Sequence, residues 1–182
     1  FPFIVKTGVT PCITVSFLNT IGIPTMCEDD FYSIPLMYIA KSLTGYSGWI
    51  ANPSGLKDKY LRFAHCTMAG DIGYNCRLVN HFETGKPYGV TCIFKAGNVL
   101  FGRFTRDYSR LVMYRGVVVE SGLLGSEYCR TQVLVDTPGL TPDKFYMDAV
   151  GNHHVFIIDK PGVRESLDII AWWKGWRIIW MN

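Results

Sequence analysis

The spacing of apolar and polar positions changes character once along the chain. Near the start, Thr10 precedes Pro11, and Ile13, Phe17 and Leu18 follow at helical spacing until Gly22. Proline is favoured at the first helical position, so this pattern predicts a helix capped by Thr10. Ile23 to Cys27 reads as a short strand that ends in the acidic cluster Glu28-Asp29-Asp30. Asp29 or Asp30 then caps a second helix, from about Phe31 to Thr44, with Pro35 tolerated in its first turn. Ile34, Leu36, Met37, Ile39, Ala40 and Leu43 leave that helix apolar almost all round, which predicts burial under a sheet. Gly45 ends it, and Gly48 to Ala51 reads as one more short strand running into Asn52-Pro53.

After about residue 60 the texture is that of strands. Leu61–Ala64, Val90–Phe94, Val99–Thr105, Leu111–Glu120 and Thr131–Asp136 are apolar and β-branched runs separated by Gly, Asn, Asp and Pro. Gly89, Gly97, Gly102, Gly116, Gly122 and Gly125 punctuate them as the turns, bulges and corners of a closed antiparallel sheet require. Pro142 to Ala149 predicts a short helix, Val155 to Ile158 a strand, Val163 to Trp173 a helix and Arg177 to Trp180 a last strand. The expected fold is therefore α/β followed by mostly β. Residues 1–60 form the C-terminal part of an α/β domain, and residues 61–182 form a β-barrel-like C-terminal domain. The chain opens Phe1-Pro2-Phe3 without a Met and goes straight into patterned sequence, as expected of a C-terminal piece of a longer polypeptide.

Composition narrows the function. Hydrophobic residues make up 48% of the 182 and charged residues 18%, a globular composition with a heavy core. The net charge of +3 is spread out, and no window forms the Lys/Arg stripe that nucleic acid would require. No apolar run approaches the roughly 18 residues of a membrane-spanning helix. The six cysteines (Cys12, Cys27, Cys66, Cys76, Cys92 and Cys129) contain no CxxC pair, and most sit in apolar runs. A disulfide scaffold or a zinc module is not expected from that spacing; reduced thiols in a cytoplasmic protein are.

Four groups carry potential chemistry. Glu28 stands at the carboxyl end of a predicted buried strand, the end that faces the ligand crevice in α/β sheets. The same acids also suit a helix start, where the dipole favours them. His65 closes the strand Leu61–Ala64 and suits either a metal ligand or a hydrogen-bonded structural residue. In Gly151-Asn152-His153-His154, adjacent strand side chains point to opposite faces, so only one His enters a given site. His81–Lys86 and Cys129–Gln132 put polar groups at the ends of barrel strands, where turns use them as well.

Taken in order, these motifs resemble the L-fucose isomerase-like family. Gly22-Ile23-Pro24 leading to Cys27-Glu28-Asp29-Asp30, and a buried helix ending Leu43-Thr44-Gly45, resemble the end of that family's second domain. Ala64-His65-Cys66-Thr67, His81-Phe82-Glu83-Thr84-Gly85-Lys86, Cys129-Arg130-Thr131-Gln132 and Gly151-Asn152-His153-His154 continue the resemblance through the C-terminal domain. L-arabinose isomerase is a more distant relation. The resemblance implies a cytoplasmic homo-oligomer that interconverts an aldose and a ketose by moving a proton between C1 and C2. It implies a divalent cation, typically Mn²⁺, that holds the sugar oxygens as a Lewis acid. It places Glu28 as the first metal carboxylate and the proton-moving group. His153 takes the metal position, with His154 as the alternative, and His65 stands as a further ligand. Asn52, Asp30 and Arg130 are candidates for contact with the sugar, which is the only small-molecule partner implied.

At one place the chain departs from the family. A second carboxylate is expected about two dozen residues after the first, and here the chain reads Ile50-Ala51-Asn52-Pro53. An amide offers an oxygen to a hard cation but is neutral and cannot act as a base. A catalytically silent relative that binds a sugar or serves as a structural subunit is therefore the second expectation. A small barrel that binds an oligosaccharide or single-stranded nucleic acid is the third.

Overall fold

The computed structural model describes residues 2–95, 97–148 and 151–182. Three helices come first, α1 (Pro2–Thr7), α2 (Cys12–Thr20) and α3 (Ile34–Thr44), the last entered through a 3-10 turn at Phe31–Ser33. Strands follow as β1 (Trp49–Lys57), β2 (Tyr60–His65), β3 (Gly73–Val79), β4 (Gly89–Phe94), β5 (Asn98–Phe104), β6 (Arg110–Gly122) and β7 (Thr131–Asp136). Helix α4 (Pro142–Asp148), strand β8 (His154–Ile158), helix α5 (Val163–Lys174) and strand β9 (Arg177–Trp180) complete the chain.

Six strands close into an antiparallel barrel in the order β5-β8-β1-β2-β7-β6, with β6 pairing back onto β5. Strand β9 extends the sheet parallel to β6, and β3 with β4 form a separate hairpin. Successive side chains point to opposite sides of a strand, and both sides of this wall are covered. Trp49, Phe63, Phe101, Tyr114 and Phe156 fill the interior together with Phe145 of α4. Phe63 lies 5.0 Å from Phe156 and 5.1 Å from Phe101 between ring centroids. On the outside, Ile50, Leu100, Met113, Val155 and Ile157 pack with Leu36, Met37 and Ala40 of α3 and Leu167 of α5. This two-sided burial is why the strands read as continuous apolar runs. Closure brings backbones too close for a side chain at Gly102, where a Cβ would strike the Val112 carbonyl.

Several expectations are corrected. Ile23 to Cys27 forms no strand: the Asn19 amide clamps Thr25, donating to its carbonyl at 2.9 Å and accepting from its N–H at 2.8 Å. The sheet begins only at β1, which is already a barrel strand bonded to β2 and β8. Thr10 does not cap α2; its hydroxyl donates to the Tyr88 carbonyl at 2.7 Å, and Pro11 takes the cap position. Neither Asp29 nor Asp30 caps α3 through its side chain. The mostly exposed strand β3 and the short helix α1 are additions, and the expected end of α4 at Ala149 lies outside the described residues. Cys76 of β3 and Cys92 of β4 form a disulfide, against the expectation of six reduced thiols. Spacing could not reveal it, because the pairing of β3 with β4 is what brings the two together. Cys12, Cys27, Cys66 and Cys129 are free. Among the described residues no helix is long and apolar enough to cross a membrane.

Candidate metal and sugar site

The segment between α2 and α3 is pinned at both ends. The Asn19 clamp holds Thr25, and the Asp30 N–H donates to the Cys27 carbonyl at 3.2 Å. Between these ties Glu28 and Asp29 adopt left-handed backbone conformations, with φ of 58° and 55°. Such conformations are disfavoured for residues other than glycine and persist where surrounding contacts enforce them, often at functional sites. The turn sends Glu28 into solvent contact and turns Asp30 inward.

Asp30 is the hub of this arrangement. Its Oδ2 accepts from the Ser33 hydroxyl at 2.7 Å and lies 3.0 Å from His153 Nδ1. Arg103 of β5 sits behind them, its Nη2 3.9 Å from Asp30 Oδ1, while its Nη1 donates to the His153 carbonyl at 3.2 Å. Burial alone would raise the Asp30 pKa. The hydrogen bonds from His153 and Ser33 and the nearby positive charge outweigh it and hold the carboxyl below its ordinary value. An ionised carboxylate only accepts, so His153 Nδ1 carries the hydrogen. That leaves Nε2 facing Glu28 Oε2 at 3.5 Å, buried and, among the described residues, without a hydrogen-bond partner. Gly151, at φ 74°, is needed here because a Cβ would strike the Arg103 guanidinium.

His65, at the end of β2, brings its ring to 5.1 Å from that of His153. Its Nδ1 is 2.7 Å from the Thr67 hydroxyl. Burial, assisted by His153 and His81, pushes its pKa down to about 3, so the ring is neutral at physiological pH. Cys27, Glu28 and His65 each offer one donor atom, and the three atoms lie within 4.8 Å of one another. Burial, with Cys12 and Glu28 nearby, pushes the Cys27 thiol up to about 12. A cleft of about 370 Å³ opens over Glu28, Asp30, Arg103 and His153, with Tyr32 and Arg106 on its walls.

The structure therefore brings Glu28, His65 and His153 together, although they come from a loop, a strand end and a strand start. His154 goes elsewhere. It is fully buried among Phe63, Tyr114 and Phe145 inside the barrel, and its Nδ1 lies 3.0 Å from the Asn152 carbonyl. Asp30 lies behind His153, with its Oδ2 already occupied. Arg130 lies apart from the cleft, donating to the carbonyls of Asn80 at 2.7 Å and Ser126 at 3.2 Å. Asn52 is one position beyond the Ala51–His154 pair, so the β1–β8 register sets it opposite His153. Its Oδ1 is buried without a hydrogen-bond partner.

Sequence reasoning missed three contributors: Cys27, Arg103 and Ser33. Cys27 adjoins the acidic cluster and was legible as a neighbour of Glu28. Arg103 had no local signal, since only barrel closure carries it to Asp30. No protein-family model matches the chain, and a search of the curated proteins finds no match.

Proposed function

We propose that the chain is a metal-dependent aldose–ketose sugar isomerase of the fucose isomerase-like type, the C-terminal part of a longer cytoplasmic, homo-oligomeric protein. In this reading helices α1–α3 belong to the tail of an α/β domain. The observation that carries it is the unpartnered, buried His153 Nε2 aimed at the Glu28 carboxylate, with Asp30 on the opposite ring nitrogen. Carboxylate–histidine pairs of this kind fix the tautomer that leaves the free nitrogen basic for a cation. These donors thus suit a divalent ion, held by Glu28 and His153 with His65 beside them, Mn²⁺ being the ion that the resemblance implies. When bound, that ion would hold neighbouring sugar oxygens and stabilise the negative charge that develops on them.

The chain's own groups do the rest. Glu28 is more than half exposed on the cleft, free to take a proton from one sugar carbon and return it to the next. Arg103 and Asp30 keep His153 in register from behind. The orphan Oδ1 of Asn52 is an acceptor that a sugar hydroxyl would satisfy.

The test is ketose formation from a panel of aldoses with Mn²⁺, comparing the native chain with Glu28→Gln. Turnover lost in the variant with the fold intact supports the reading. The second reading, a silent sugar-binding relative, is favoured by the neutral Asn52 where a second acid is expected. It prevails if Mn²⁺ and a sugar bind without any ketose appearing.

A further inference from the structure

We infer that Cys27 is the donor that completes this cation site, which makes it a mixed sulfur, nitrogen and oxygen site selective for a thiophilic divalent ion rather than an all-oxygen-and-nitrogen site suited to Mn²⁺. The inference rests on the metal-binding part of the proposed function and sharpens which ion that site takes.

Two observations carry it. The Cys27 sulfur, a Glu28 carboxylate oxygen and a His65 ring nitrogen lie within 4.8 Å of one another. Donors held at about 2.0–2.3 Å from a single zinc-like ion stand at most about 4.6 Å apart, so small side-chain rotations close this triangle around a cation. Second, His153 Nε2 has no hydrogen-bond partner, although the residue is 97% buried by side-chain exposure of 3%, and it faces the same Glu28 carboxylate at 3.5 Å. It lies outside the Cys27–Glu28–His65 triangle but shares the Glu28 carboxylate with it, an open donor at the edge of the site. On binding a cation the Cys27 thiol would release its proton to solvent and add a negative charge immediately before Glu28 in the chain.

The ligand type then sets the ion. Thiolate sulfur favours Zn²⁺, Co²⁺ or Fe²⁺, whereas carboxylate, carbonyl and water suit Mg²⁺ and Mn²⁺. Most N, O and S sites bind Zn²⁺ more tightly than Mn²⁺, so preference for zinc is not in itself diagnostic. The diagnostic quantity is how much of that preference Cys27 supplies.

The experiment titrates the metal-free chain with Zn²⁺, Co²⁺ and Mn²⁺ and repeats the titrations on Cys27→Ser and, as a control for the other thiols, Cys129→Ser. With Co²⁺, the native chain and Cys129→Ser should show a near-ultraviolet thiolate-to-cobalt charge-transfer band that Cys27→Ser lacks. Zn²⁺ affinity should fall by about 10–100-fold in Cys27→Ser, the range seen when a site's supporting groups are lost, while Mn²⁺ affinity changes much less. Cys27→Asp, which keeps an anionic ligand, should also lack the band while gaining Mn²⁺ affinity, and it decides the matter if the serine variant does not fold. An unchanged cobalt band and unchanged Zn²⁺ affinity in a folded Cys27 variant overturn the role of Cys27, and leave the isomerase reading standing if Mn²⁺ supports ketose formation. Failure of the folded native chain to bind any of the three ions overturns the inference and the metal site beneath it together.

Discussion

His153 and His154 are neighbours in sequence, yet one faces the cleft at the barrel rim and the other sits among the rings of its interior. The interior is apolar and closed: Phe63, Tyr114 and Phe145 surround His154, whose one polar tie among the described residues is to the Asn152 carbonyl. The rim is polar and strained, with two consecutive left-handed residues and a buried carboxylate held by a serine, a histidine and an arginine. The same side chain is thus inert filler in one place and a poised nitrogen one residue away. Environment separates them, through burial without charge in one case and a carboxylate on Nδ1 in the other. Stability should reside in the interior and binding at the rim, and substitutions can be chosen to break that division.

The largest effect belongs to the interior. Phe156 is fully buried, its ring 5.0 Å from Phe63 and 5.2 Å from Phe101. Phe156→Ala removes a ring that the barrel cannot close around, and should cost about 3–5 kcal/mol in chemical denaturation. Metal affinity of the fraction that remains folded should stay near the native value. If affinity collapses while stability holds, interior and rim are not separable.

Acid sensitivity comes next and also divides the two regions. Burial holds His154 down to about 4 and, with help from His153 and His81, His65 down to about 3, against an unfolded value of 6.5. Below pH 6.5 the unfolded chain therefore binds protons that the folded chain refuses. Stability is fully present above that pH and falls as pH drops, by about 1.4 kcal/mol per unit for each ring until its folded value is reached. Asp30 adds a further loss only at lower pH, since its carboxyl is held below the ordinary carboxylate value. His154→Phe keeps an aromatic body in the cage and removes one titrating group. Its stability between pH 6.5 and 4 should fall less steeply by about 1.4 kcal/mol per unit, and parallel curves for variant and native chain would show that His154 is not the neutral ring described.

How much of this was readable beforehand follows the same division. The barrel strands after residue 60 were legible because burial on both faces leaves long apolar runs, and β7 and β9 fall where the pattern sets them. The rim was legible only as isolated polar letters. Glu28, His65 and His153 stood out as residue types, but their convergence depends on β2 and β8 both flanking β1, which no local pattern encodes. Ile23 to Cys27 misread as a strand because apolar composition cannot show that Asn19 will occupy Thr25. The Cys76–Cys92 disulfide stayed hidden for a related reason: Val90–Phe94 reads as a strand, but β3 is exposed over most of its length and carries no apolar run, so the pairing that joins the two cysteines did not show.

At the rim the effect is on affinity. Asp30→Asn keeps the size of the side chain but removes the charge that fixes His153 with Nε2 free. Divalent-ion affinity, read by titration calorimetry, should fall by about 10–100-fold, as when the outer partners of a ligating histidine are lost. Asn still offers an oxygen to Nδ1, so the fold should survive. An unchanged affinity would mean that Glu28, His65 and Cys27 hold the ion without His153.

The smallest effect is expected at Arg130, which the family resemblance made a candidate for sugar contact. Its guanidinium is spent on the carbonyls of Asn80 and Ser126, tying the end of β3 to the loop before β7, and its backbone N–H donates to the Cys66 sulfur at 3.3 Å. None of these partners lines the cleft over Glu28 and His153. Arg130→Gln preserves the backbone bond and loses two mostly exposed side-chain bonds, a cost of at most about 1.5 kcal/mol. Sugar and metal affinities should change by less than about twofold, within the range of ordinary surface substitutions. A large loss of sugar affinity with the metal site intact would instead extend the binding surface from the rim across to the His81–Lys86 turn. The contrast would then lie between the barrel interior and a polar face reaching well beyond the cleft.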